Sequence, residues 1–208
     1  MVRLVIKAIV FDYYGVVCPR ITPSLSKEIS KQFGIKYTHQ VLYDIEKLLD
    51  LMDDNSITFY EYWKKLKADF ENKDVKFSDH QRIWKECTLK LEINPQMKRL
   101  INGLRKMGYI VPVLSNVTRK MAKYNRIKGR YKIFSPVFLS CEIGLKKPSI
   151  AIFEYILKKM KVEPSECIFI DDKENSLKGA KAIGIKTILF KNISQLLKEL
   201  RKAGVYGI

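Results

Sequence analysis

The sequence predicts an α/β protein: a parallel sheet with helices on both faces and a helical bundle inserted near its start. Three observations carry that expectation. An apolar, β-branched run at 4–11 (LVIKAIVF) leads straight into Asp12. Residues 18–92 then show helical periodicity and no convincing strand. From Asn94 onward, short apolar runs alternate with helix-length amphipathic segments, the signature of parallel βαβ units.

The elements follow in order. The run 4–11 reads as a buried strand and Gly15 supplies a turn after it. Thr22 and Pro23 open a helix, since proline suits a first helical turn. Leu25, Ile29 and Phe33 recur at helical spacing until Gly34 stops the pattern. A second helix covers Thr38 to about Met52. Thr58-Phe59-Tyr60-Glu61 fits a capping box and starts a third, and a fourth begins near Ser78. The rings of this region (Phe59, Tyr60, Tyr62, Trp63, Phe70, Trp84) fall at helical spacing and read as core rather than as a ligand platform.

A helix at 95–107 ends at Gly108, followed by a strand at 109–114 that Pro112 weakens, because proline has no N–H for the ladder. Then come a helix at 118–128, a short strand at 137–140, a helix at 148–160, a strand at 167–170, a helix at 174–183, a strand at 186–190 and a last helix at 193–203. The first strand is too short to fold alone and must join the later sheet. The expected division is therefore a Rossmann-like α/β core from 1–17 and 93–208, with 18–92 inserted as a helical cap over the strand ends.

Composition bounds the function. The net charge is +17, but the lysines are spread along the chain with no dense basic tract. That favours a solvated surface suited to anionic substrates, and a nucleic-acid partner is not expected. Cys18, Cys87, Cys141 and Cys167 form no CxxC motif, and His39 and His80 are the only histidines, so no structural zinc site is expected. Scattered thiols suggest a reducing cytoplasm. No uncharged apolar run reaches 18 residues, so no membrane span is expected, and the N-terminus reads as a strand rather than a signal peptide. Oligomeric state is not legible.

The chemistry lies at the strand ends, where open parallel sheets bind ligands. Strand one ends at Asp12; the next yields Ser115-Asn116; the third leads to Lys146-Lys147-Pro148; the fourth ends in Asp171-Asp172. Each alone could be a cap or a surface residue. At successive strand ends in this order they make a site. Two carboxylates about 4 Å apart repel by roughly 4 kcal/mol at an effective dielectric of 20, so a divalent cation or a lysine must offset them. An all-oxygen donor set suits Mg²⁺. A carboxylate nucleophile, a cation, a serine and a lysine together meet the needs of phosphoryl transfer.

These residues carry a resemblance. IVFDYYGV, LSN at 114–116, GLKKPSIAIF at 144–153 and FIDDKENSLKGAKAIG at 169–184 are similar, in order, to the four motifs of the haloacid dehalogenase-like hydrolases. The insertion resembles that superfamily's type 1 cap. The paired acids followed by Asn175 are most similar to the small bacterial sugar-phosphate phosphatases. The resemblance implies Asp12 as nucleophile and Mg²⁺ ligand, the Tyr14 backbone carbonyl and Asp171 as further ligands, and Asp172 as ligand or outer partner. It implies Ser115 and Asn116 on the phosphoryl group and Lys147 beside the charged intermediate. The substrate would be a small phosphorylated metabolite.

Tyr14 departs from the pattern. Most phosphatases of this superfamily carry there a second aspartate, which acts as general acid and base. A tyrosine, with a pKa near 10, can donate a hydrogen bond to a leaving oxygen but is a poor base at neutral pH. The metal-independent 2-haloacid dehalogenases carry tyrosine at this place but lack the paired acids. Phosphatase is thus the first reading and dehalogenase the second. A catalytically weak binding or regulatory module with a basic surface is the third.

Overall fold

The structure, a computed structural model, describes residues 5–53, 56–70 and 76–207. The chain separates into two compact units. One comprises the residues up to Pro19 together with those from Ile93 onward; the other is Arg20–Glu92.

The first unit is built on a five-stranded parallel sheet with helices on both faces. Its strands are β1 (Ala8–Phe11), β2 (Val113–Ser115), β3 (Val137–Leu139), β4 (Cys167–Asp171) and β5 (Lys186–Leu189), in the spatial order β3-β2-β1-β4-β5. The first strand in sequence is therefore the central one. All four of its residues are buried, and Ala8, Ile9, Val10 and Phe11 align with Cys167, Ile168, Phe169 and Ile170 of β4. A strand flanked on both sides and covered on both faces must be apolar throughout, which is why the run reads as continuous rather than alternating. The chain passes from β1 to β2 on one side and to β4 on the other, so the crevice at the topological switch lies beyond the carboxyl end of β1.

Two strands are shorter than their apolar runs. The strand β1 starts at Ala8, opposite the first residue of β4, so residues 5–7 lie outside it, although Lys7 N donates to Glu166 O at 2.8 Å and Lys7 O accepts from Ile110 N at 2.9 Å; residue 4 lies outside the described residues. In the run 109–114, only Val113 and Leu114 join β2, with Ile110 making an isolated bridge to Ala8. The physical reason is Pro112: it has no N–H to give, although its carbonyl accepts from Phe11 N at 3.0 Å. Two small elements had no signal in the sequence, a helical turn at Ser140–Ile143 and a 3-10 turn at Pro164–Glu166.

The second unit holds four helices, α1 (Thr22–Phe33), α2 (His39–Asp53), α3 (Phe59–Asp69) and α4 (Phe77–Leu89). Pro23 lies in the first turn of α1, and Gly34 closes that helix in a left-handed conformation (φ 66°). The capping box at Thr58 forms: its hydroxyl accepts from Glu61 N and its own N–H donates to Glu61 Oε2 at 2.7 Å. Tyr62 and Trp84 are core residues as expected, packed with Phe59, whereas Tyr60 is exposed. Among the described residues, no helix is long and apolar enough to cross a membrane. The four cysteines are free and buried.

Candidate active site

The sheet delivers three acids to one place. Asp12 follows β1 directly, and its backbone N–H donates to Ile170 O of β4 at 2.8 Å, which ties the residue to the neighbouring strand end. Asp171 is the last residue of β4. Asp172 follows it. Ligand oxygens of Asp12, Asp171 and Asp172 all lie within 4.8 Å of one another. The turn after Asp12 explains the glycine at position 15. Its φ is +93°, and a Cβ built there would lie 2.0 Å from Asp172 Oδ2, so any side chain would collide with the third acid.

Lys147 supplies the counter-charge. Its Nζ donates to Asp12 Oδ1 at 2.5 Å and to Asp171 Oδ2 at 2.6 Å. Asp171 uses its other oxygen to accept from Lys173 N at 2.8 Å. The lysine and both acids are buried, with 6%, 7% and 1% exposure for Lys147, Asp12 and Asp171. Burial pushes the Asp12 carboxyl up to about 7; Lys147 opposes this, and repulsion from Asp171 and Asp172 adds to it. Burial also works against the Lys147 ammonium, but the two carboxylates outweigh it and hold that group above the ordinary lysine value.

The group fits a divalent cation. Oxygens of three carboxylates converge, those of Asp12 and Asp171 from buried residues, and the donors are all oxygen. Such a set suits Mg²⁺ better than a thiophilic metal.

Ser115 ends β2 and is buried; its hydroxyl makes only a long contact, 3.4 Å, to Asn116 O. The Asn116 side chain is committed to the main chain of Lys147. Its Nδ2 donates to Lys147 O at 2.9 Å and its Oδ1 accepts from Lys147 N at 3.0 Å.

Tyr14 is engaged elsewhere. Asn125, fully buried on the helix Arg119–Ile127, donates to the Tyr14 hydroxyl at 2.7 Å and to the Tyr131 hydroxyl at 2.9 Å. Its Oδ1 accepts from Arg130 Nη1 at 3.0 Å. The Tyr13 ring packs edge-on to both Tyr14 and Tyr131. Burial raises the Tyr14 phenol well above its usual value, while the bond from Asn125 works the other way. This polar cluster was missed from sequence. One signal pointed to it: Asn125 shares a helix face with Met121 and Ala122, a polar residue on an apolar stripe.

Comparison with known proteins finds relatives of the sequence and of the fold. The family model described as haloacid dehalogenase-like hydrolase matches residues 6–184. The chain is 29% identical to bifunctional epoxide hydrolase 2 of Mus musculus over 146 residues, 68% of this chain and 26% of that protein. It is 35% identical to flavin mononucleotide hydrolase 1 of Arabidopsis thaliana over 85 residues, 39% of this chain and 35% of that one. It thus spans only about a quarter of the epoxide hydrolase relative's length. Among solved structures, a magnesium complex of a family enzyme from Bacteroides thetaiotaomicron superposes with a TM-score of 0.66, at 23% identity, covering 93% of this chain and 98% of that one. A dehalogenase superposes with a TM-score of 0.69 at 17% identity, covering 88% and 83%. These likenesses are of fold.

Proposed function

The chain belongs to the haloacid dehalogenase-like hydrolases, and from that premise we propose that it hydrolyses a small phosphomonoester through an aspartyl-phosphate on Asp12, with Mg²⁺ held by Asp12, the Tyr14 carbonyl, Asp171 and Asp172. The observation that carries the reading is the convergence of three carboxylates at the strand ends, with ligand oxygens of Asp12, Asp171 and Asp172 within 4.8 Å of one another. A metal-independent attack on carbon has no use for three converging carboxylates. Similarity to flavin mononucleotide hydrolase 1 and to a ribulose-1,5-bisphosphate 5-phosphatase of Halopiger xanaduensis, 28% identical over 110 residues, supports it. A sugar phosphate is the substrate class favoured, and the cytoplasm the compartment.

The residues divide the work as follows. Lys147 takes Oδ1 of Asp12, which orients Oδ2 for attack on phosphorus. The new bond joins Oδ2 to phosphorus; the ester bond breaks, and its electron pair leaves with the alcohol oxygen, which takes a proton from solvent. Water then attacks phosphorus and gives a proton back to solvent, the bond to Asp12 breaks, and orthophosphate departs with the carboxylate restored. Lys147 stays beside Asp12 throughout and stabilises the charge on the transferring group. The Ser115 hydroxyl, at the end of the adjacent strand, donates to a phosphoryl oxygen. When bound, Mg²⁺ supplies charge neutralisation between nucleophile and phosphoryl oxygen. Substrate selection is assigned to the helical unit.

The test is phosphate release from a panel of sugar phosphates and generic esters with and without Mg²⁺, beside chloride release from 2-chloropropionate. Mg²⁺-dependent phosphate release, lost in Asp12→Asn, is expected. Chloride release without metal would replace this reading with the dehalogenase one.

A further inference from the structure

Asn116 stands where a phosphate-binding side chain is expected, but its bonds run elsewhere. Its amide makes two hydrogen bonds, and both go to the main chain of a single residue, Lys147. Together they copy the pair of bonds that one residue exchanges with its partner in an antiparallel ladder. The orientation of the amide is not arbitrary: Lys147 N–H can only donate, so the carbonyl oxygen must face it and the NH₂ must face Lys147 O. The other flank of the same segment is closed by the helix Glu174–Ala182, where a Cβ on Gly179 would lie 2.1 Å from Pro148 O. The main chain at 147–148 is therefore held from two sides, by the loop after β2 and by a helix backbone at contact distance. Four flexible bonds separate that main chain from an ammonium which must reach Asp12 and Asp171 at 2.5 and 2.6 Å. A shift at the root of the side chain moves the charge that faces the nucleophile.

We propose that Asn116 is a positioning residue: it holds the Lys147 main chain so that the ammonium spans Asp12 and Asp171, and it acts on the reaction through Lys147 rather than by touching the phosphoryl group. The catalytic half of this rests on the phosphatase reading above; the structural half does not.

A double-mutant cycle separates the two. Wild type, Asn116→Ala, Lys147→Ala and the double variant are assayed with p-nitrophenyl phosphate and Mg²⁺, and each is melted thermally. Asn116→Ala alone should lower kcat by about 10²-fold, the scale of a misplacement near 1 Å, with little change in KM. In the Lys147→Ala background the same substitution should leave kcat unchanged within about twofold, because the charge it positions is gone. Stability should behave oppositely. Lys147→Ala keeps the main chain that Asn116 binds, so Asn116→Ala should lower Tm by about 2–6 °C in both backgrounds. An undiminished kcat loss in the Lys147→Ala background would show direct contact with substrate and overturn the proposal. An unchanged Tm on Asn116→Ala would overturn the clamp itself. Wild-type protein without phosphatase activity counts against the proposed function and leaves the melting arm to decide the clamp.

Discussion

The ammonium of Lys147 lies 2.5 Å from Asp12 Oδ1, across 135 positions of sequence, and it is a partial match for the acids around it. Burial outweighs that cation, and repulsion from Asp171 and Asp172 adds to it, so metal-free Asp12 remains above the ordinary range, at about 7 instead of 3.8. Between those values the folded protein keeps a proton that the unfolded chain has released. The native state then binds more protons, so stability falls as pH rises through about 4 to 7 and is level above it. The full window corresponds to on the order of 4 kcal/mol at most. Denaturant melts in EDTA at pH 4–8 should show that decline in wild type and a flatter profile in Asp12→Asn. Added Mg²⁺, which binds the ionised form, should stabilise wild type more at pH 8 than at pH 5. Parallel profiles for the two proteins would remove the raised carboxyl from the account.

Gly15 and Asp172 make a second relationship that can be tested. Gly15→Ala meets both an unfavourable φ of +93° and a collision with the Asp172 carboxylate. The backbone part costs about 1–3 kcal/mol. The collision would displace one of the proposed Mg²⁺ ligands, so Mg²⁺ affinity measured by calorimetry should fall at least about tenfold, the lower end of what disturbing a metal ligand's support costs. In an Asp172→Ala background, Gly15→Ala should cost only the backbone part and change Mg²⁺ affinity no further. A full loss in both backgrounds would assign the effect to the turn alone.

Gly179 gives a prediction of opposite sign to helix propensity. Replacing glycine with alanine inside a helix is worth about 1 kcal/mol of stabilisation. Here the added methyl would sit 2.1 Å from Pro148 O and 3.0 Å from the Phe153 ring. Overpacking of that kind costs about 1–3 kcal/mol, so Gly179→Ala should be net destabilising in urea melts. It should also lower kcat, because Lys147 precedes Pro148. A neutral or stabilised variant would show that the 147–148 segment yields freely.

What could be read from sequence was what depends on local pattern and order. The apolar run before Asp12 gave the central strand, and the acids after CIFI gave two members of the carboxylate cluster, because both are contiguous. The strand containing Pro112 was overextended because hydrophobicity ignores the missing N–H. The partners of Asn116 and Tyr14 were illegible for a different reason. Which of several donors an amide or phenol meets is decided by side-chain geometry between elements far apart, Tyr14 with Asn125 and Asn116 with Lys147. A motif names the residue type that the position tolerates, and the bond it makes is settled only by packing.

The engagement of Tyr14 bears on which substrates turn over. An alkoxide leaves phosphorus slowly unless a proton reaches it, and a positioned acid is worth about 10²–10⁴-fold. At position 14 the group is a phenol whose oxygen already accepts from Asn125, and burial makes it a weaker acid than a free tyrosine. Proton delivery from this position is therefore poor, and rates should depend steeply on the leaving group itself. Aryl phosphates should exceed alkyl phosphates by at least about 10²-fold in kcat/KM across a series of graded leaving-group pKa. Tyr14→Phe should cost about 1–3 kcal/mol of stability, since it strands an Asn125 N–H. The same variant should change aryl phosphate turnover by less than about tenfold, below the range of a working general acid. A flat leaving-group series, or a thousandfold loss in Tyr14→Phe on an alkyl phosphate, would instead make the phenol the proton donor, with Asn125 as the residue that aims it.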